Sequence, residues 1–158
     1  MIHVCKLLAT LVLFGISLHA VGQFRAPELP VDAPDFRVTT LGGKSIGLSE
    51  LRGRPVILNF WATWCTPCRL EVPAFRRFAE RHPEVHIVGV TADGSAQEIA
   101  RAVEDLGITW TIAMPNTSVA RLFKVDVYPT TVFIDPDGHV TAAHVGMLTD
   151  LQLAWLAR

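Results

Sequence analysis

The sequence predicts a single α/β domain in which a central sheet is flanked by helices. Short runs of β-branched and apolar residues alternate along the chain with segments in which apolar residues recur at helical spacing. This alternation predicts right-handed crossovers and parallel strands. The chain has 158 residues, of which 50% are hydrophobic, and a domain of this size can bury a sizeable core. A formal net charge of −1 and the lack of any Lys/Arg block argue against nucleic acid as a partner.

The first residues have the layout of a secretory signal peptide. Lys6 is followed by an apolar run over residues 7–18, and small residues stand at Ala20 and Gly22. We expect residues 1–22 to direct export to the periplasm or another extracytoplasmic compartment, with cleavage near Gly22. The alternative is an uncleaved membrane anchor, although the run is shorter than the ~20 residues that span a bilayer.

A linker and a small hairpin are expected next. Residues 23–34 are rich in proline and predict an extended linker, so the globular domain is expected over residues 35–158. Residues 35–40 alternate polar and apolar side chains as in a short strand. A pair of glycines then turns the chain, and residues 46–51 pack back toward the core.

The most informative stretch is a strand that ends in a pair of cysteines. Residues 56–60, V-I-L-N-F, form a short apolar run that suits a strand buried on both faces. After Cys68 the apolar residues adopt helix-like spacing, interrupted only by Pro73. We therefore expect Cys65 to lie at the N-terminus of a helix.

This position favours redox chemistry. Unpaired backbone N–H groups and the helix dipole stabilise a thiolate at a helix N-terminus. We predict that Cys65 is the more acidic and more exposed thiol, which attacks a partner disulfide, and that Cys68 resolves the mixed disulfide. Pro67 suits the first helical turn. A purely structural disulfide is the alternative, but a bridge over two intervening residues ties no distant segments together.

The second half of the chain continues the alternation. Strands are predicted over residues 85–90 and 110–113, and Ser95 with Glu98 forms a capping box for a helix that ends at Gly107. The remaining predicted elements are a short helix after Asn116, strands over residues 130–134 and 139–145 joined by the turn D-P-D-G, and an amphipathic helix over residues 148–156. Because proline is disfavoured inside a central strand, Tyr128 and Pro129 are expected to form a turn at a strand entry.

The segment F-W-A-T-W-C-T-P-C-R-L-E-V-P resembles the active-site segment of the thioredoxin superfamily, and it is most similar to the secreted TlpA, ResA and DsbE branch. The likeness extends from about Asp35 to the C-terminus and includes Y-P-T-T-V-F-I-D-P-D-G and the final G-x-L-T. It implies a thioredoxin fold with a central mixed sheet flanked by helices and an N-terminal β-hairpin. It also implies that the Tyr128–Pro129 bond is cis and that both residues lie against the cysteines and pair with substrate backbone.

The same resemblance implies an exported thiol–disulfide oxidoreductase with no cofactor besides the Cys65–Cys68 disulfide. Such a protein would act as a monomer, reduce disulfides of client proteins, for example in cytochrome c maturation, and be re-reduced by a membrane thiol–disulfide electron donor. The cytochrome c branch often has an acid just after the cis proline, whereas this chain has Thr130.

Two acidic residues are candidate proton acceptors for Cys68. Thioredoxin proper has a buried acid on the active-site strand, whereas this chain has Asn59, which cannot accept a proton. Glu71 lies three residues after Cys68, and Asp93 follows the neighbouring strand at the carboxyl edge, where α/β sheets place their sites. The alternative for each is a solvated surface acid.

Trp64 is expected to offer apolar contact area to a partner beside Cys65, whereas Trp61 is expected to pack in the core. The histidines show no metal-like spacing with the cysteines, so we expect no metal site.

A thiol peroxidase is the alternative function. The stretch from D-F-R-V to I-L-N-F also resembles the opening of peroxiredoxins. Those enzymes have Pro-x-x-x-Thr-x-x-Cys, and Leu58 stands where that proline would be relative to Cys65. The motif therefore favours disulfide exchange.

Overall fold

The computed structural model describes residues 31–158. The predicted signal peptide and residues 23–30 of the predicted linker lie outside the described residues. Within residues 31–158, none of the helices is long and apolar enough to cross a membrane.

Strands and helices alternate through most of the described chain. The strands are β1 (Val31–Asp32), β2 (Arg37–Thr39), β3 (Ser45–Gly47), β4 (Val56–Trp61), β5 (His86–Thr91), β6 (Thr111–Ala113), β7 (Thr130–Ile134) and β8 (His139–Val145). The helices are α1 (Leu48–Leu51), α2 (Thr66–Arg81), α3 (Ala96–Leu106), α4 (Thr117–Leu122) and α5 (Asp150–Leu156). Apart from β1 and the short helix α1, these elements agree with the sequence predictions to within a few residues.

Six of these strands form one mixed sheet in the order β1-β8-β7-β4-β5-β6. β4, β5 and β6 are parallel, whereas β7 is antiparallel to β4, β8 to β7 and β1 to β8. The parallel strands of the sheet are joined by helical crossovers, whereas the antiparallel strands β7 and β8 are joined by the D-P-D-G turn. β2 and β3 form a separate antiparallel pair, which is the predicted N-terminal hairpin.

β4 lies at the centre of the sheet. It pairs with β5 on one edge and with β7 on the other, and all six of its residues are buried. Leu58 and Phe60 pack into the cluster on one face, while Ile57 packs with Phe75 of α2 on the other. A strand covered on both faces is what the continuous apolar run predicts.

Helix ends follow the predicted capping residues. The Glu98 N–H donates to Ser95 Oγ at 3.3 Å, and the Ser95 N–H donates to Glu98 Oε2 at 2.7 Å, so the capping box of α3 is present. Gly107 ends this helix in the left-handed conformation with φ of 62°. Asn116 caps α4, since its Oδ1 accepts a hydrogen bond from the Val119 N–H at 3.1 Å.

The edge strand β1 differs from the sequence prediction, which assigns its residues to the linker. Val31 and Asp32 pair with β8, and the Ala33 N–H donates to the Gly138 carbonyl at 2.9 Å. A two-residue strand is too short to show an alternating pattern, so the sequence does not reveal it. The sheet therefore begins inside the segment that the composition marks as linker.

Gly89 leaves room for neighbouring side chains on β5. A Cβ at this position would lie 2.6 Å from Ile112 Cδ1 and 3.1 Å from Trp61 Nε1. We expect Gly89→Ala to lower the free energy of unfolding by about 1–3 kcal/mol in urea titrations, because buried neighbours must shift. Gly42→Ala is the matched control, since a Cβ there would meet only Thr40 Oγ1 at 3.9 Å. Equal losses in the two variants would contradict this packing explanation.

Candidate active site

A disulfide links Cys65 and Cys68 at the point where β4 ends and α2 begins, with an S–S distance of 2.05 Å. Cys65 is the N-cap residue of α2, and its Sγ accepts a hydrogen bond from the Cys68 N–H at 3.3 Å. The predicted position of Cys65 at a helix N-terminus is therefore confirmed. Pro67 lies in the first turn, where its missing N–H leaves no helical hydrogen bond unmade.

Both cysteines are buried in this disulfide form. The exposed fraction is 4% for Cys65 and 2% for Cys68, so the greater exposure expected for Cys65 is slight in this state. They belong to a cluster that includes Trp61 and Ala62, and Tyr128 packs against it. The residues around the disulfide therefore decide what can reach its sulfur atoms.

Trp64 lies at the surface beside Cys65, with 64% of its area exposed. Its indole N–H donates to Asp93 Oδ2 at 2.8 Å, and its ring stands edge-on to Tyr128 with the centroids 6.3 Å apart. These contacts hold an exposed ring in one orientation. The structure thus brings Asp93 to the site as an exposed carboxylate bound to Trp64.

The Tyr128–Pro129 peptide bond is cis, as the resemblance implies. Thr130, the next residue, pairs with Phe60 of β4, so Pro129 lies at the end of the sheet that carries the cysteines. The Pro129 carbonyl accepts a hydrogen bond from the Gly146 N–H at 2.8 Å, which joins this segment to the loop after β8. The expected pairing of Pro129 with substrate backbone stays a prediction.

Glu71 is a buried carboxylate one helical turn after Cys68, with 2% of its area exposed. Its Oε1 accepts a hydrogen bond from Asn59 Nδ2 at 2.9 Å, and its Oε2 accepts one from the Leu148 N–H at 3.0 Å. Burial raises the pKa of Glu71 to about 7, although the hydrogen bonds from Leu148 and Asn59 act to lower it. Because residues three apart on a helix are neighbours, the Glu71 carboxyl group lies on the same side of α2 as Cys68.

Asn59 has a role that the sequence pattern alone does not reveal. Its Nδ2 also donates to Thr131 Oγ1 at 3.2 Å, and the two residues are partners in the β4–β7 register. Both side chains are buried. A buried polar side chain needs a hydrogen-bond partner. Asn59 is the single polar residue in the apolar run of β4, and this is the sequence feature from which a buried hydrogen bond could have been inferred.

Several apolar side chains are exposed on segments next to the disulfide. Besides Trp64 they are Leu70, Val127, Val145 and Met147, with exposed fractions between 46% and 66%. They offer apolar contact area to a partner. The sequence pattern does not identify them, because an exposed apolar residue looks the same in a sequence as a buried one.

Two other features lie away from the disulfide. A cavity of about 620 Å³ lies between the hairpin and β6, where Lys44 and Thr111 are among its lining residues, and none of the predicted site residues lines it. The side chains of Asp135, Asp137 and His139 gather at the β7–β8 turn, at the opposite end of the sheet from the cysteines. Asp135 Oδ1 there accepts hydrogen bonds from the backbone N–H groups of the other two residues.

The chain belongs to the AhpC/TSA family, whose model matches residues 31–143. The thioredoxin-like protein YneN of Bacillus subtilis is 33% identical over 125 residues, which cover 77% of this chain and 74% of that protein. The thiol–disulfide oxidoreductase ResA of Bacillus cereus is 35% identical over 129 residues, which cover 80% of this chain and 75% of that protein.

Solved structures with the same fold include MTB dsbF in its mixed oxidised and reduced forms. It matches with a TM-score of 0.72 and 31% identity, covering 77% of this chain and 92% of that one. A thiol:disulfide interchange protein of the thioredoxin family from Chlorobium tepidum matches with a TM-score of 0.74 and 26% identity, covering 84% and 97%. The chain is thus a thiol–disulfide oxidoreductase with a thioredoxin fold.

The buried Glu71 carboxyl should make stability depend on pH. Because folding raises its pKa from 4.5 to about 7, the folded protein binds this proton more tightly than the unfolded chain does. The contribution of Glu71 to the free energy of unfolding is therefore fully present below pH 4.5 and is lost as the pH rises through 7. The loss amounts to about 3 kcal/mol.

Urea unfolding of the oxidised protein across this pH range measures the effect. Glu71→Gln removes the titrating group and keeps the side-chain shape. As the pH rises, the free energy of unfolding of the wild type should therefore fall by about 3 kcal/mol relative to that of the variant. A difference that does not change with pH would contradict the buried titration of Glu71.

Proposed function

We propose that this protein is an exported reductant of client protein disulfides. The observation that carries the proposal is the position of Cys65 as N-cap of α2, with its Sγ bonded to Cys68 and facing the Cys68 N–H. A thiolate at this position is stabilised by the first N–H groups and the dipole of the helix. Cys65 is therefore the attacking thiol, and Cys68 is the resolving thiol.

In the first step the Cys65 thiolate attacks one sulfur of the client disulfide. A bond forms between Cys65 Sγ and that sulfur, the client S–S bond breaks, and the other client sulfur leaves with the electron pair as a thiolate. Trp64, Tyr128 and the exposed Val127 offer apolar contact to the client, and the segment at Pro129 pairs with its backbone. These contacts hold the client sulfur near Cys65.

In the second step Cys68 transfers its proton to the Glu71 carboxylate and attacks Cys65 Sγ. The Cys65–Cys68 bond forms, the mixed disulfide breaks, and the second client sulfur leaves with the electron pair. The client has then gained two electrons, and the protein holds the disulfide. Glu71 suits this role because it is buried, adjacent to Cys68 on α2, and has a pKa of about 7.

Asp93 is the other candidate proton acceptor. Its carboxylate is exposed and accepts the Trp64 indole N–H at 2.8 Å. We therefore assign to Asp93 the role of orienting Trp64. We assign to Glu71 the role of accepting the proton directly from Cys68.

Each turnover oxidises the dithiol, so the cycle needs a donor. The proposed donor is a membrane thiol–disulfide electron carrier that meets the protein after export, with residues 1–22 as a signal peptide or an uncleaved anchor. The protein acts as a monomer and uses no cofactor besides its own disulfide. Cytochrome c maturation would supply clients of this kind. Thr130 stands in place of the acid that is common in that branch, so other clients are to be tested as well.

A thiol peroxidase is the second candidate function, and the match to the AhpC/TSA family favours keeping it. In that function Cys65 would attack a peroxide oxygen. Two features favour disulfide exchange instead: Cys65 pairs with Cys68 in one helical turn, and Leu58 stands at the position of the peroxiredoxin proline.

The roles of the two thiols can be tested by trapping. In Cys68→Ser the mixed disulfide cannot be resolved, so client proteins should stay covalently attached to Cys65 and appear on non-reducing gels. Cys65→Ser should trap none, because the attacking thiol is missing. The reverse trapping pattern contradicts the assignment. Rapid peroxide turnover that persists in Cys68→Ser favours the peroxidase instead.

The direction of electron flow can be tested by the reduction potential. Equilibration of the purified protein with a glutathione or thioredoxin couple should give a potential nearer the ~−270 mV of thioredoxin than the ~−120 mV of a strong oxidant. A reductant needs the lower value to pass electrons to client disulfides. A potential at the oxidising end overturns the proposed direction.

A further inference from the structure

The Glu71 carboxylate is held between two donors from separate parts of the chain. Asn59 Nδ2, from the centre of β4, lies 2.9 Å from Oε1. The Leu148 N–H, from the loop before α5, lies 3.0 Å from Oε2. Each oxygen thus has a hydrogen-bond donor on it, and the orientation of the carboxyl group on α2 is fixed from two sides.

The orientation of the Asn59 amide is itself fixed by chemistry. The nitrogen of Asn59 faces Glu71, which is the orientation that an ionised carboxylate requires because it only accepts hydrogen bonds. The same nitrogen donates its other hydrogen to Thr131 Oγ1 at 3.2 Å. Asn59 and Thr131 are cross-strand partners in the sheet, and both are nine-tenths or more buried. The sheet register therefore aligns the amide with Glu71.

We propose that Asn59, aligned by Thr131, is a positioning residue that holds the Glu71 carboxylate in its ionised form and in the orientation that receives the Cys68 proton. This proposal rests on the proton-accepting role of Glu71 in the proposed function. The side-chain nitrogen of Asn59 donates to Glu71 and to Thr131. It acts through Glu71, because a donor on a buried carboxylate stabilises the anion relative to the acid.

The titration of Glu71 tests this directly, without reference to activity. Carbon-detected NMR of the oxidised protein follows the Glu71 carboxyl while both cysteines are locked in the disulfide. In Asn59→Leu the lost donor should raise the midpoint above the wild-type value of about 7. A charge-assisted hydrogen bond corresponds to a rise of about one pH unit or more. Thr131→Val should raise the Glu71 midpoint by a smaller amount, because it removes the hydroxyl that aligns Asn59. Thr131→Ser keeps a hydroxyl and should leave the midpoint at the wild-type value.

Thr91→Val is the matched control. Thr91 is a buried threonine on the neighbouring strand, and its hydroxyl donates to the Ala113 carbonyl at 2.9 Å. Its loss removes a comparable buried hydrogen bond without touching Glu71. The Glu71 midpoint should therefore stay in place in Thr91→Val, even if the variant is less stable in urea.

The kinetic test uses 5,5′-dithiobis(2-nitrobenzoate) as the disulfide. Stopped-flow mixing with the reduced protein releases one thionitrobenzoate when Cys65 reacts and a second when Cys68 resolves the adduct. The rate of the second release should rise with pH along the Glu71 titration. In Asn59→Leu this pH profile should move to higher pH by the same amount as the Glu71 midpoint measured by NMR. A shift of one pH unit lowers the ionised fraction of Glu71 at pH 7 about fivefold.

The possible outcomes separate the two ideas. An unmoved Glu71 midpoint in Asn59→Leu, or equal shifts in Thr131→Val and Thr91→Val, overturns the positioning role while leaving the proton-accepting role of Glu71 intact. If Glu71→Gln keeps the wild-type pH profile of the second release, the proton-accepting role fails. A midpoint shift in Asn59→Leu together with the matching kinetic shift supports both.

Discussion

The full pairing of β4 is the constraint on which the rest of the structure depends. Because the strand is hydrogen-bonded along both edges and covered on both faces, its end cannot shift without breaking the core. Cys65 lies four residues after that end and is the N-cap of α2. The antiparallel partner β7 brings Pro129 to the same end, and the parallel partner β5 brings Asp93. The site is therefore assembled from segments far apart in sequence by the register of one strand.

Most of the fold could be predicted from the sequence, because its determinants are local. The buried strand β4, the capping box at Ser95 and the turn after β7 each depend on residues within one short window, and each is present in the structure. The positions of Cys65 and of the Pro129 turn were predictable for the same reason. The edge strand β1 was not, because its two residues carry no periodic pattern and depend on pairing with β8.

The environment of Glu71 could not be predicted from local pattern. Its partners Asn59 and Leu148 lie 12 and 77 residues away in sequence, and neither separation is set by a helix or strand period. The sequence predicted Glu71 as a candidate from its spacing after Cys68, which places it on the correct face of α2. Whether that face is covered depends on how α5 and the loop before it pack, which is a property of the tertiary structure.

The position of Glu71 on α2 suggests why an asparagine can stand on the active-site strand. A buried carboxyl is useful here only if it can still ionise near neutral pH, and burial alone would keep it protonated. In this chain the acid lies on α2 and the strand supplies a donor, so the opposing effects of burial and of two hydrogen bonds leave the pKa of Glu71 at about 7. The amide at Asn59 adds no second negative charge beside that carboxylate, whereas an acid there would repel it. Moving the carboxyl from strand to helix is thus compatible with the proposed mechanism, in which one carboxyl accepts the proton of Cys68.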